Sequence, residues 1–384
     1  MIIDFDSTNK CMNLNGLKTA KERRQFLEEK MKIRLENIAK ALTEDEKAIH
    51  CENLIGATTL PLGIAGPLEI KGEHIDGGFY LPLATTEGAL VASINRGCKA
   101  ISLSGGVRVF VENVGTTRGP VFETAGIRES IILKKWLDKN FNLLKGEAEK
   151  TSSHLRLKKL GTRIVGRYVY VRFYFDTQNA MGMNMATIAT DLIARSIEEK
   201  TKAKCLSVSG NFCIDKKPAW LNFISGRGKR VWSEVILKKE VVDEVLKTTP
   251  EKFFEVWLTK CMIGSAMSGS MGFNAHFANI VAAFFAATGQ DLAHVVEGSM
   301  GVTTSKVLKN GDLYASVYLP AVMVGTVGGG TKLKTKQEAL SIIGTKNSVE
   351  LAEVLGGAVL AGEISLLASL AEGTLACAHK KLGR

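Results

Sequence analysis

Between Gly119 and Ser209 the hydrophobic pattern runs strand, helix, strand, strand, helix, strand, and few folds accept that order. Pro120–Thr124 reads as a strand and Glu129–Leu144 as an amphipathic helix. Leu155–Val165 and Tyr168–Asp176 read as strands, the second alternating Val, Phe and Tyr. Met181–Lys200 predicts a second helix, and Cys205–Ser209 a last strand. The order β-α-β-β-α-β is that of a ferredoxin-like split unit. The chain before and after lacks it, so the expectation is an α+β protein: a large helical and mixed domain with a small ferredoxin-like domain inserted. The boundaries expected are an N-terminal helical segment at 1–60, a large domain at 61–118 and 210–384, and the small domain at 119–209.

Where the insertion rejoins the large domain, an apolar run ends in Ser209-Gly210-Asn211, and Pro218 forbids a helix starting before it. Asp215, Lys216 and Lys217 therefore sit on a loop leaving the end of a strand, a place where scaffolds carry chemistry. A solvated turn has the same composition, so the loop alone leaves both readings open.

Elsewhere, Lys18–Leu42 predicts one charged helix with an apolar stripe. Glu52–Gly56 and Leu60–Pro67 carry Gly/Pro punctuation and predict turns with an extended segment. Gly77–Leu83 predicts a strand, after which Ala84–Gly88 opens a helix with Leu90, Ile94, Cys98 and Ile101 on one face. Thr85 or Thr86 would cap that helix and place Glu87 in its first turn; Ser93, Asn95 and Arg96 lie on its polar side. Strands are expected at Lys229–Leu237, Val302–Lys309 and Leu313–Pro320, and helices at Glu240–Lys247, Gly272–Thr288 and Ser348–Ala378. Asp291 follows a helix C-terminus, where a carboxylate is either solvated or held by a cation such as Lys216. The glycine loop Gly325–Thr331 is either a phosphate cradle or a tight turn.

The seven cysteines show no CxxC spacing and the six histidines no HxxxH pattern, so no metal site is expected. Scattered thiols suit a reducing cytoplasm. The apolar stretches are short or interrupted by Gly and Glu363, so no membrane span is expected. A net charge of +11 fits a nucleic-acid binder, an enzyme of anionic ligands or a lysine-rich surface. No basic stripe with interleaved aromatics is present, which argues against nucleic acid.

Taken in order, several segments resemble one family. They are ENLIG (Glu52–Gly56), ATTEGALVASINRGCKA (Ala84–Ala100), TRGP (Thr117–Pro120), NAMGMNM (Asn179–Met185), SGNFCIDKKPA (Ser209–Ala219), GSAMSGSMGFNAHFANI (Gly264–Ile280), GQD (Gly289–Asp291) and GTVGGGT (Gly325–Thr331). The sequence resembles the 3-hydroxy-3-methylglutaryl-CoA (HMG-CoA) reductases of the class shared by eukaryotes and archaea, from about Lys18 to the end and without the membrane anchor of the animal enzymes.

The resemblance implies reduction of HMG-CoA to mevalonate and CoA, through mevaldyl-CoA and mevaldehyde, by two hydride transfers from NADPH. It implies Lys216 as the cation facing the carbonyl oxygen, Asp291 as its orienting partner, Glu87 as a general acid, and His379 as proton donor to the CoA thiolate. Arg118, Ser209, Asp215, Lys217, Lys260 and Asn279 match positions that hold the hydroxymethylglutaryl group; Ser93, Asn95, Arg96 and Lys247 match positions near CoA. Met181, Gly182, Met183 and Asn184, with Gly325, Thr326 and Gly328, match the dinucleotide site. The chain departs from the family pattern at Asn179, where an acid is usual, and at Ser153, which follows Ser152 where an arginine is usual; Arg156 and Lys158 are the substitutes at hand. NADH therefore stays open beside NADPH, and with it an NAD-dependent role in mevalonate degradation. A homodimer or dimer of dimers with shared active sites is implied as well.

Overall fold

The fold is given by a computed structural model that describes residues 17–374 other than 43, 46–48 and 50. A division into two compact units falls between Pro61 and Leu62.

In the first unit, Ala20–Met31 is a helix closed by a capping box: Thr19 Oγ1 accepts from Glu22 N–H, and the Glu22 carboxylate accepts from Thr19 N–H. The single helix expected over 18–42 is broken. Lys32 turns left-handed (φ 53°) as the C-cap, and a separate short helix follows at Glu36–Lys40.

Among its described residues the second unit is built on eleven strands. They are β1 (Leu62–Gly72), β2 (Asp76–Ala84), β3 (Val107–Arg118), β4 (Val121–Glu123), β5 (Arg156–Val165), β6 (Tyr168–Asp176), β7 (Lys204–Ser207), β8 (Gly228–Leu237), β9 (Gly272–Phe273), β10 (Gly301–Val307) and β11 (Leu313–Val322). The continuous order is β7-β4-β6-β3-β8-β11-β10-β9, with β5 on β6 and β1 beside β2 and β3.

Strand β3 serves both halves of this array. Its Arg108–Gly115 stretch pairs antiparallel with β8, and Thr116–Arg118 pairs with β6. The register slips between Asn113 and Gly115, and a Cβ at Gly115 would lie 2.8 Å from Phe175 O, so only glycine passes there.

Two hydrophobic clusters flank this joint. One, between Phe122 and Ala203, joins β5 and β6 to the helices Ile127–Lys139, Phe141–Glu149 and Met183–Lys200. The other is centred on helix Ser348–Ala371 and includes helices Leu90–Leu103 and Phe277–Thr288. Each buried Leu or Phe there contributes about 1.5–3 kcal/mol relative to exposure. Helix 348–371 is long and apolar enough to cross a membrane, yet 83% of its most apolar window is buried inside the fold. Helix 90–103 approaches it closely through Gly97, where a Cβ would sit 1.9 Å from Ala361 O. The two buried acids of helix 348–371 are satisfied. Glu353 accepts the N–H groups of Glu73, His74 and Ile75; Glu363 accepts from Ala275 N, His276 N and Thr303 Oγ1.

Several sequence expectations shift. The helix expected at Glu129–Leu144 is two, divided at Asn140, whose side chain bonds back to Trp136 O. Gly272–Phe273 is a strand, and the helix begins only at Phe277. Strand β3, the helical run from Pro250 to Met267 and helix Lys334–Ile343 carried no expectation.

Candidate active site

The loop 208–219 is pinned from several sides. Gly210 N–H donates to Gly119 O (2.6 Å), Thr117 Oγ1–H to Cys213 O (2.9 Å), and Asn222 Nδ2 to Ile214 O (2.8 Å). The backbone is strained: Asn211, Ile214 and Lys216 all have positive φ (59°, 47°, 56°), unusual above all for β-branched isoleucine. Such conformations cost about 1–3 kcal/mol each and persist only where neighbours over-determine them.

Asp215 anchors the loop. Its Oδ1 takes a hydrogen bond from Arg227 NH2 (2.9 Å), and its Oδ2 lies 3.5 Å from Arg118 NH1. Arg227 itself is fully buried, bonded to Thr117 Oγ1 and to the buried carboxylate of Glu297. Sequence reasoning missed Arg227, His294 and Glu297; one arginine between glycines and two residues of a short turn leave no periodic signal. Asp215, His294 and Glu297 bring ligand-type atoms within 4.8 Å of one another, but the Arg227 guanidinium already supplies the positive charge among them.

With Asp215 fixed, the next residue reaches Asp291: Lys216 Nζ stands 2.8 Å from Asp291 Oδ2, both partly exposed. Asp291 caps the short turn 292–294 by accepting from Ala293 N–H (3.1 Å). Burial pushes its carboxyl up, but the Lys216 ammonium, the Ala293 N–H and His294 together hold it below the ordinary value of 3.8.

This pair lies on the wall of a cavity of about 600 Å³ lined by Ala180–Met185, Gly289–Asp291, Gly325 and Val327–Thr331. Its two glycine segments are joined by backbone: Thr326 N–H donates to Asn179 O (2.8 Å), and Ala180 bridges Val327. The Gln290 amide clasps Gly325, donating to its carbonyl (3.0 Å) and accepting from its N–H (2.9 Å). A Cβ at Gly325 would lie 2.5 Å from Met181 N, and one at Gly182 2.3 Å from Thr177 Cγ2. Such a glycine cradle beside the N-terminus of helix Met183–Lys200 fits a dinucleotide phosphate. Asn179, Met181, Gly182, Met183, Asn184, Gly325 and Gly328 are thus gathered at or beside the cavity, with Thr326 next to it.

Glu87 differs from expectation. The helix begins at Leu90 after a left-handed Ala89 (φ 71°), and Thr85 Oγ1 accepts from Glu87 N–H, so Glu87 stands on an exposed turn outside the helix. Its Oε1 accepts from Asn279 Nδ2 (3.1 Å). No hydrogen bond or ion pair among the described residues joins this couple to Lys216.

Ser93 and Arg96 are committed to helix 348–371: Ser93 Oγ to Ser365 Oγ, and Arg96 to Ser365 and Ser369. Asn95 Oδ1 accepts from Gly66 N–H. Lys247 and Lys260 are exposed, Ser209 is half-buried, and Lys217 Nζ donates to Asp215 O (3.2 Å). Ser152 Oγ accepts from His154 N–H (3.1 Å) and lies 3.7 Å from Met185 Sδ at the cavity; Ser153 is exposed. Arg156 donates to Leu155 O and Lys158 to Asn113 O. His379 lies outside the described residues.

A glycine cradle walled by a lysine–aspartate pair has the makeup of an enzyme site for anionic ligands. The sequence profile described as hydroxymethylglutaryl-coenzyme A reductase matches residues 19–384, and the chain belongs to that family. A 3-hydroxy-3-methylglutaryl-coenzyme A reductase of Methanothermobacter thermautotrophicus is 50% identical over 368 residues, 94% of this chain and 92% of that protein. The enzyme of the same name from Methanocaldococcus jannaschii is 49% identical over 381 residues, 96% of this chain and 94% of that one. The fold is similar to the class II 3-hydroxy-3-methylglutaryl-CoA reductase from Streptococcus pneumoniae, solved bound to NADPH, with a TM-score of 0.71 at 18% identity over 92% of this chain and 97% of that one.

Proposed function

We propose that the chain reduces HMG-CoA to mevalonate and CoA with NADPH, using residues 119–209 as an inserted unit that helps hold the dinucleotide. The observation that carries this is the Lys216–Asp291 pair at 2.8 Å, standing on the wall of the glycine-lined cavity. The dinucleotide supplies hydride when bound. Each transfer puts negative charge on a carbonyl oxygen, and Lys216 offers a fixed cation for it, the largest lever such a site has on the barrier. Asp291, its carboxyl held below the ordinary value, keeps the Lys216 ammonium aimed. Asp215 spends its charge on Arg118 and Arg227, so its role is to set the strained loop.

Glu87 serves as proton donor, with Asn279 fixing one carboxylate oxygen. His379 protonates the departing thiolate. Arg118, Ser209, Lys217 and Lys260 hold the hydroxymethylglutaryl group, and Lys247 lies by CoA. Ser93, Asn95 and Arg96 act by positioning helix 90–103, since Ser93 Oγ, Asn95 Oδ1 and Arg96 Nε and NH2 already have partners. The five described cysteines are all free thiols, which suits the cytoplasm, and a homodimer is the expected assembly.

The test is loss of reduced-nicotinamide absorbance with HMG-CoA and NADPH or NADH in turn. Oxidation of NADPH supports the reading; oxidation of neither sinks it, and a preference for NADH moves the chain to the degradative role.

A further inference from the structure

Behind the Lys216–Asp291 pair lies a buried imidazole that the roles above do not use. His294 is fully buried. Its Nδ1 is 3.0 Å from Glu297 Oε1, and its Nε2 lies 3.7 Å from Asp291 Oδ2 and 4.0 Å from Asp215 Oδ1. Nε2 has no hydrogen-bond partner at those distances, although it is buried and aimed at two carboxylates.

The chemistry of the neighbours fixes the protons. Glu297 Oε1 already accepts from Arg227, so it is an acceptor toward His294 as well, and the 3.0 Å contact suits N–H at Nδ1. A neutral ring would then point the Nε2 lone pair at Asp291 and Asp215, an arrangement that costs free energy in a buried site. Adding a proton at Nε2 turns that repulsion into donation. The other charged group facing the ring, Arg227 NH1 at 3.4 Å from Nδ1, is already bonded to Glu297 and shares its charge with Asp215.

We propose that His294 is a positioning residue: held at Nδ1 by Glu297, it donates Nε2–H to Asp291 and so fixes the carboxylate that aims Lys216. The inference rests on Lys216 and Asp291 serving hydride transfer. Catalytic hydrogen bonds of this kind are often long until the site closes around substrate, which accommodates the 3.7 Å separation.

Two substitutions separate this role from simple core filling. His294→Gln extends an amide N–H to about the Nε2 position, whereas His294→Asn keeps a donor near Nδ1 for Glu297 but falls short of Asp291. The Asn variant should lose roughly tenfold or more in kcat with KM little changed, and the Gln variant should recover most of it. A structural role predicts the reverse ranking, because Asn keeps the Glu297 contact. Wild-type kcat in the Asn variant, or equal losses in both, overturns the proposal. Nitrogen-15 NMR of histidine-labelled wild-type protein gives an answer independent of turnover and of whether the variants fold. A proton on His294 Nε2 is the expected result, and a bare Nε2 refutes it. Wild-type protein without reductase activity would instead defeat the functional reading and leave the NMR result standing.

Discussion

Lys216 Nζ and Asp291 Oδ2 meet at 2.8 Å on the wall of the glycine-lined cavity, although the two residues come from a strained loop and from the cap of a separate turn. Both side chains keep about a third or more of their exposure, at 41% and 34%. Exposed pairs contribute little to stability, about 0–1 kcal/mol. Lys216→Ala should therefore leave the melting temperature within a few degrees of wild type while lowering kcat about 10²–10³-fold, the usual loss of one preorganised oxyanion donor. Thermal melts beside steady-state kinetics check this; a variant keeping most of its kcat would break the assignment.

Lys229 gives a pH prediction of definite sign. It is buried, with Nζ donating to Asn113 Oδ1 (3.0 Å), and burial pulls its ammonium down from 10.5 to about 8 despite Asp176 nearby. Between those two values the unfolded chain binds more proton than the folded one, so this group makes stability rise with pH from about 8 to 10.5. Lys229→Met should flatten that rise. Calorimetric melts across the interval decide it, and an unchanged slope in the variant would show that Lys229 titrates normally.

These two lysines mark what the sequence could disclose. Alternation of Val, Phe and Tyr announced β6 because it packs on a core along its length. Strand β3 went unread because its halves pair with different partners and its polar residues Thr116 and Thr117 are buried at the joint. Lys216 was legible only through family resemblance, since Asp-Lys-Lys before a proline also spells a solvated turn. Glu87 was placed a turn too far into its helix, because Thr85 Oγ1 captures the Glu87 N–H and Ala89 goes left-handed, and neither residue type signals that alone. Arg227 was invisible for a stronger reason: an arginine is expected outside, and only the distant Glu297 and Asp215 make its burial affordable.

Gly325 tests the cavity. Its neighbour Thr326 bonds Asn179 O, and a Cβ at 325 would press on Met181 N at 2.5 Å, backbone that cannot swing away. Gly325→Ala should part the two cavity-lining segments and break the clasp of Gln290 on Gly325. The expected result is a dinucleotide KM raised at least about tenfold, as when one good contact of about 1.4 kcal/mol is lost, with a smaller effect on the HMG-CoA KM. Equal changes in both constants would mean that the segments position substrate and dinucleotide alike.

The buried guanidinium of Arg227 should be the most expensive single side chain to remove from the site. It neutralises Glu297, which is fully buried, and donates to Asp215 and Thr117. Deleting one member of a buried pair costs about 3–5 kcal/mol, because the partner is left charged and unsolvated. Arg227→Met should therefore destabilise by that amount in denaturant unfolding and should also free Asp215, loosening the loop that presents Lys216. If the cost is the stranded carboxylate, Arg227→Met with Glu297→Met should recover much of the stability without restoring kcat, since Asp215 still lacks its anchor. A double variant as unstable as the single one would show instead that Arg227 acts through packing and its bond to Thr117, and that Glu297 does not set its cost.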